Sequence, residues 1–351
     1  MKTLTKNFAV SLARVMPVIR TRTTIPMLYC VKVEGTGGKL TATCSSVDSF
    51  AAAICPCEGD LEPVCVPASS LYYLVTKAPD EIELTCKNGR LFVQGAGTAR
   101  LMMHDVREFP TWPEQDGKEL GINTMDLAQC ISGVAWAPDI DPKLSLDLWR
   151  ESVWVNVTDK AIECAGTDGK EFAYVKRDLI SAPTHFLLPA VHTKLLNDAL
   201  MTSDSTLHVG SKYVSTSSEL FRVAIQLAEG KFMPVNMLLD QEQKPLGIIP
   251  VAQVLEALHA IKQLGTVDEF LEVRLAFRDD SLTVQFHGNG GEYERVIPMT
   301  LEDSNAFAIR FDLKRALSVF SHVQPTAKAA LSDSCLFFHD GDWTFALALL
   351  V

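Results

Sequence analysis

Leu40-Thr-Ala-Thr-Cys44 decides the fold, because segments of the same kind recur as Ile162-Glu-Cys164 and Leu282-Thr-Val-Gln-Phe286, starting 122 and then 120 residues later. Alternation of this kind is the period-2 signature of a strand. An i, i+4, i+7 apolar stripe precedes each segment: Phe8/Leu12/Val15, Leu127/Ile131/Val134 and Val254/Leu258/Ile261. A further apolar landmark follows each one, at Leu74, Leu196 and Leu317, inside a second helical pattern. Any one landmark is ordinary amphipathic patterning, but all of them in the same order specify a repeat of about 120 residues.

Each repeat reads as helix, strands, helix, strands. In the first, Val66-Pro67 leads into Leu71, Leu74, Val75 and Ala78 at helical spacing, and Pro67 suits a first helical position. Ile82-Glu-Leu84-Thr-Cys86 then alternates, turns at Asn88-Gly89 and returns through Leu91 and Val93. Asn-Gly between alternating runs marks a tight hairpin, since both turn residues must tolerate positive φ. In the second, Leu188-Pro189 precedes Leu195, Leu196 and Leu200; in the third, Asp312 offers an N-cap ahead of Leu313, Leu317 and Phe320. Stretches rich in Pro, Gly and charge at Phe109–Gly117 and Asp240–Pro245 divide the chain into domains 1–118, 119–243 and 244–351. Two helices and several hairpins per repeat imply an α+β class with helices on one face of antiparallel sheet.

The 351 residues carry 32 Lys and Arg against 43 Asp and Glu, a formal net charge of −11. That balance opposes bulk electrostatic gripping of nucleic acid, though not a protein that surrounds it and keeps a few cations inward. No stretch approaches the roughly 18 apolar residues of a membrane span. Lys6 and Asn7 stand where a secretory signal needs its apolar run, so the expected location is the cytosol. The nine cysteines are expected to be reduced. Cys55-Pro-Cys57 with Cys65 lacks the second Cys-x-x-Cys or the histidines of a zinc site, so neither metal nor cofactor is expected. Gly95-Ala-Gly97 has Arg100 where a dinucleotide fingerprint needs its third glycine, and no Walker or hydrolase motif occurs. Asp139-Ile-Asp141 with Asp147 leaves a metal-dependent nuclease as a weaker alternative, and a scaffold that closes no ring as another.

Thr24-Ile-Pro26-Met-Leu28, Val66-Pro67, Phe109-Pro110, Gly166-Thr-Asp-Gly169 and Gly230-Lys-Phe232, in this order on a threefold repeat, resemble the bacterial DNA sliding clamp, the beta subunit of DNA polymerase III. The resemblance spans the whole chain. It implies a head-to-tail homodimer of six domains closing a ring, with helices lining the hole. Such a ring is non-catalytic; it encircles double-stranded DNA without sequence preference and binds DNA polymerase and clamp loader through short linear peptides.

The resemblance also assigns sites. Arg22, with Arg20, falls in the loop that matches a pore-facing DNA contact, and Arg14, Lys6, Lys77, Lys194, Lys262, Lys314 and Arg315 lie on or beside pore-type helices. Ser69, Ser70, Ala190 and Val191 stand where relatives often carry basic residues, so DNA contact is expected to be weak. The partner-peptide pocket matches Thr167, Gly169, Lys170, Glu171, Phe172, Pro234, Val235, Phe345, Leu347 and Leu349; on its residues alone, Thr-Asp-Gly is equally a hairpin turn. Candidates for the ring seam are Leu101, Met103 and Ile261, with ordinary core placement the competing reading for each.

Overall fold

The computed structural model describes residues 1–19, 23–114, 116–139, 148–179, 181–265, 270–302 and 306–350. It resolves into two compact units, one of Met1–Ala128 with His192–Leu227 and one of Gln129–Val191 with Ala228–Val351. Seven α-helices are described: α1 Thr5–Val15, α2 Ala68–Thr76, α3 Thr124–Val134, α4 Thr193–Leu200, α5 Asn236–Leu239, α6 Val251–Leu264 and α7 Leu313–His322. None of them is long and apolar enough to cross a membrane.

The first unit holds a four-stranded sheet, in the order Lys2–Leu4, Glu81–Lys87, Arg90–Gln94, Thr98–Met102. Its eight-stranded sheet runs Leu61–Pro67, Cys30–Thr36, Lys39–Ser45, Ser49–Pro56, Phe221–Gln226, Tyr213–Ser217, Thr206–Val209, Lys118–Leu120. Helix α1 buries Phe8, Leu12 and Val15, the residues of the sequence stripe, against the strand Ser49–Pro56. Asn88 and Gly89 take φ of 52° and 69°, as the hairpin between Glu81–Lys87 and Arg90–Gln94 requires. Pro67 ends a strand and caps α2 instead of opening it, one residue from its expected place.

The second unit repeats the plan. Its eight-stranded sheet runs Thr184–Pro189, Ser152–Val157, Ala161–Thr167, Glu171–Asp178, Trp343–Ala348, Cys335–Asp340, Ala327–Leu331, Lys244–Ile249. Its four-stranded sheet runs Gly291–Pro298, Ser281–Gly288, Glu272–Arg278, Phe307–Asp312. All ladders of both units are antiparallel, and the class is α+β. Asp312 caps α7 by accepting from the Arg315 backbone N–H at 3.0 Å. The last edge strand bulges at Gly247, whose φ of 112° and close approach to the Thr300 carbonyl leave no room for a Cβ. Helix α6 buries Val254, Leu258 and Ile261, the third copy of the stripe.

Ile261 is therefore fully buried within the chain. Period-3.6 spacing puts it on the stripe that faces the sheet, in the core placement that was its competing reading. Leu101 is half-buried in the free edge strand Thr98–Met102, and Met103 follows it, also half-buried.

Candidate partner site and DNA-facing residues

The turn Thr167–Glu171 joins strands Ala161–Thr167 and Glu171–Asp178, and its own chemistry holds it. The Thr167 hydroxyl donates to the Glu171 carbonyl at 2.5 Å and accepts from the Gly169 N–H at 2.9 Å. Asp168 Oδ1 accepts from the N–H groups of Lys170 and Glu171, both at 2.8 Å. Gly169 sits at φ 91°, which its lack of a Cβ permits. The turn reading is thus realised, and Lys170 projects from it, exposed.

Beside the turn lies a cluster of Phe172, Tyr174, Val235, Cys335, Phe337 and Ala346. Trp154, Phe232, Leu238 and Leu239 pack on it while half-exposed. Phe232 stacks on Trp154 at 5.9 Å with planes 13° apart and meets Trp149 edge-on at 6.0 Å. The Arg150 guanidinium lies 5.1 Å over Trp149. This apolar shelf, rimmed by two indoles, is the surface on which a short apolar peptide would find anchors.

Of the sequence-assigned pocket residues, Phe172 and Val235 belong to the shelf, and Pro234 is exposed beside it. Phe345 and Leu347 do not belong. Ala346 pairs with Phe172, and period-2 alternation sends Phe345 and Leu347 to the other face, where both are buried. Phe345 there meets Trp136 at 6.1 Å and Trp343 at 6.2 Å. Leu349 lies past the last strand, half-buried. Trp149 and Trp154, which no motif singled out, join Phe232 on the shelf; two of the five tryptophans within six positions were the available signal.

Arg315 of α7 adds charge to the turn. Its guanidinium is ion-paired with Asp168 and reaches Glu171 Oε1 at 3.4 Å. Burial nevertheless pushes the Glu171 carboxyl up to about 7, over the opposing pull of the Ser318 hydroxyl and Arg315, because desolvation of a carboxylate outweighs a pairing shared with Asp168. Arg315 is thereby committed to the turn.

The other cations fare differently. Lys6, Arg14, Lys77, Lys194, Lys262 and Lys314 are all exposed, Lys77 as the residue that ends α2. The Arg14 guanidinium lies 5.7 Å over the Phe221 ring, so its stem is packed while its charge meets solvent. Arg20 and Arg22 lie outside the described residues, as do Asp141 and Asp147, while the Asp139 N–H donates to the Arg150 carbonyl at 2.7 Å.

Known proteins share this fold. Residues 2–113 match the family profile of the DNA polymerase III beta subunit, N-terminal domain. The beta sliding clamp of Treponema pallidum (strain Nichols) is 26% identical over 195 residues, which is 54% of this chain and 50% of that protein. The alignment thus spans about half of that relative's length. The solved DNA polymerase III subunit beta of Pseudomonas aeruginosa is 19% identical, superposes with a TM-score of 0.89 and covers 100% of this chain and 99% of that one. A sliding clamp of the same organism bound to griselimycin gives 0.90 at 19% identity, over 100% of this chain and 99% of its own. A putative DNA polymerase III beta subunit of Eubacterium rectale gives 0.90 at 12%, covering 99% and 98%. The first domain thus matches the DNA polymerase III beta subunits in sequence, and the chain has the fold of the solved beta subunits from end to end.

Proposed function

We propose that two copies of this chain close head to tail into a ring that encircles duplex DNA and tethers a replicative polymerase to it. One observation carries the closure. Each unit builds its eight-stranded sheet by joining the same two kinds of edge, Ser49–Pro56 to Phe221–Gln226 in one and Glu171–Asp178 to Trp343–Ala348 in the other. One edge of each kind is left over, Gly291–Pro298 and Thr98–Met102. An unpaired edge recruits another strand, and a heterologous contact that closes gives a ring without free ends. Domains at 1–118, 119–243 and 244–351 make six around it.

Topological retention asks little of DNA affinity. With a net charge of −11, the exposed Lys6, Arg14, Lys194, Lys262 and Lys314 supply scattered phosphate contacts that permit sliding, since each counterion released adds affinity. Tethering raises the polymerase's local concentration at the primer end and requires no catalytic group. Polymerase and loader bind by short linear peptides on the shelf of Trp154, Phe232 and Phe172. Two or three apolar anchors contribute roughly 1.5–3 kcal/mol each, less ordering costs, which gives exchangeable, micromolar binding. DNA replication places this work in the cytosol.

The mass in solution tests closure. Light scattering is expected to give twice the chain mass; a monomer at every concentration rejects the ring and favours the scaffold reading.

A further inference from the structure

On the polar face of the first unit one arginine is held in place and yet unpaired. Strand Phe221–Gln226 runs antiparallel to Tyr213–Ser217, with Tyr213 beside Gln226 and Ser215 beside Ala224. The same register, continued, sets Arg222 beside Ser217. Period-2 alternation gathers Tyr213, Ser215, Ser217 and Arg222 on one face, away from the buried Val214, Thr216, Val223 and Ile225. The segment crossing this face lays Trp112 against Phe50 at 5.7 Å, and the Arg222 guanidinium sits 5.0 Å over the indole. Stacking occupies one side of the guanidinium and leaves its N–H edge, the part that forks onto a carboxylate, unused. Arg222 is exposed and makes no ion pair among the described residues.

A groove opens here, lined by Trp112, Glu114, Tyr213, Ser215, Ser217 and Arg222 among others. Its volume is about 60 Å3. A cavity that holds benzene measures about 150 Å3, so this one admits a small polar group and not an apolar ring. Both signs of charge line it. Asp116, toward the Tyr213 end, is already engaged: it accepts from the Ser211 hydroxyl at 2.8 Å and the Ser211 N–H at 3.3 Å, which hold its carboxyl below the usual range. Glu114 is exposed in the same groove and does not close on Arg222. Nδ1 of His208, the cross-strand neighbour of Ser215, is buried with no hydrogen-bond partner among the described residues. The face thus carries more polar capacity than the chain itself satisfies.

We propose that this groove is a second peptide site, in which Arg222 takes the carboxylate of an acidic residue and Glu114 takes a basic residue two to four positions along the same extended segment of a partner protein. Trp112 and Glu114 are two residues apart and Tyr213 and Ser217 four, which at about 3.3 Å per residue sets that spacing. Ser215 and Ser217 donate to the carboxylate lone pairs that the guanidinium leaves open. A nucleic-acid strand is the poorer occupant. Its phosphates would meet Glu114 and Asp116, and the indole is covered by Arg222, so it offers no open ring for a base. The site lies within the first unit and requires neither the apolar shelf nor ring closure.

Titration with defined peptides tests the assignment. The probe is a rhodamine-labelled nine-residue Gly/Ser peptide carrying one Glu and one Lys three positions apart, made in both orders, with an uncharged Gly/Ser peptide as control, read by anisotropy at 50 mM salt. In one order the charged probe is expected to bind at least about tenfold tighter than the control. Arg222→Glu should remove that advantage. Ser217→Asp should remove it too, by setting an internal carboxylate beside Arg222, and should raise the melting temperature, so that misfolding cannot account for the loss. Trp154→Ala, on the apolar shelf, should bind the probe as wild type does. A probe that binds no better than its control, or equally well to Arg222→Glu, overturns the site. Loss of binding in Trp154→Ala, or displacement of the probe by an oligothymidylate, overturns it as well, in favour of the shelf or of nucleic acid. None of these outcomes bears on ring closure, which the mass in solution reads.

Discussion

The outward faces of the two eight-stranded sheets occupy the same place in the repeat and differ in chemistry. Where one carries Tyr213, Ser215, Ser217 and Arg222, the other carries Cys335, Phe337, His339 and Thr344 at the equivalent positions. The segment crossing each face follows suit. Trp112 in the first unit lies 5.7 Å from Phe50 and takes the Arg222 guanidinium over its ring at 5.0 Å, above hydroxyls; Phe232, Val235, Leu238 and Leu239 in the second sit on a continuous apolar bed. The backbone plan therefore does not make a peptide site. The side chains laid on it decide, and among the described residues the second unit's face is the one that offers apolar anchors.

The turns beside the faces diverge in the same way. Ser46 and Ser49 share a buried hydrogen bond of 2.5 Å in the first unit, with Lys194 exposed on the accompanying helix. Their equivalents in the second are Asp168, Glu171 and Arg315, an ion cluster closed on itself. The first arrangement leaves a cation exposed on the helix, and the second consumes one to fix the turn at the shelf.

Six substitutions sharpen this contrast. Phe337→Ala, in the fully buried bed of the apolar face, is expected to cost about 3–5 kcal/mol in chemical unfolding, whereas Ser215→Ala at the equivalent position should stay within about 0.5 kcal/mol; equal costs would mean the faces do not differ in kind. Glu171→Gln comes next. A carboxyl raised from 4.5 to about 7 on folding binds its proton more tightly in the native state. Its stabilising contribution is present in full below pH 4.5 and lost as pH climbs to about 7. The variant should therefore match wild type near pH 4 and be more stable by about 1–3 kcal/mol at pH 8, less whatever its link to Arg315 returned. A variant less stable at pH 8 would show that the ion pair outweighs burial.

Trp112→Ala removes one ring contact and one cation–π contact and should cost about 1–3 kcal/mol without altering peptide binding at the shelf. The smallest effect is optical. A polymerase-derived peptide with apolar anchors should change indole fluorescence by way of Trp149 and Trp154, so Trp154→Phe should remove most of the signal while Trp112→Phe keeps it. Retention of the full signal in Trp154→Phe would move the peptide off the shelf.

Much of the fold was legible because its signals are local. Asn88-Gly89 had to turn, Asp312 had to cap, and the three apolar stripes had to face a sheet. What was hidden depends on partners far along the chain. Phe345 and Leu347 are pocket candidates by resemblance alone; the register with Glu171–Asp178, set some 170 positions away, turns them to the buried face of their strand. Ile261, for which core placement was the competing reading, is buried within the chain. Arg315 looked like one more helix-borne cation until the turn 144 residues earlier claimed it.

Retention on a topologically closed template tests the central claim most directly. Protein loaded on nicked circular DNA and passed through a sizing column at moderate salt should co-elute with the circle, and a single restriction cut should release nearly all of it. Equal retention on the circle and on the linear product would show that the protein holds DNA by contact and not by encirclement.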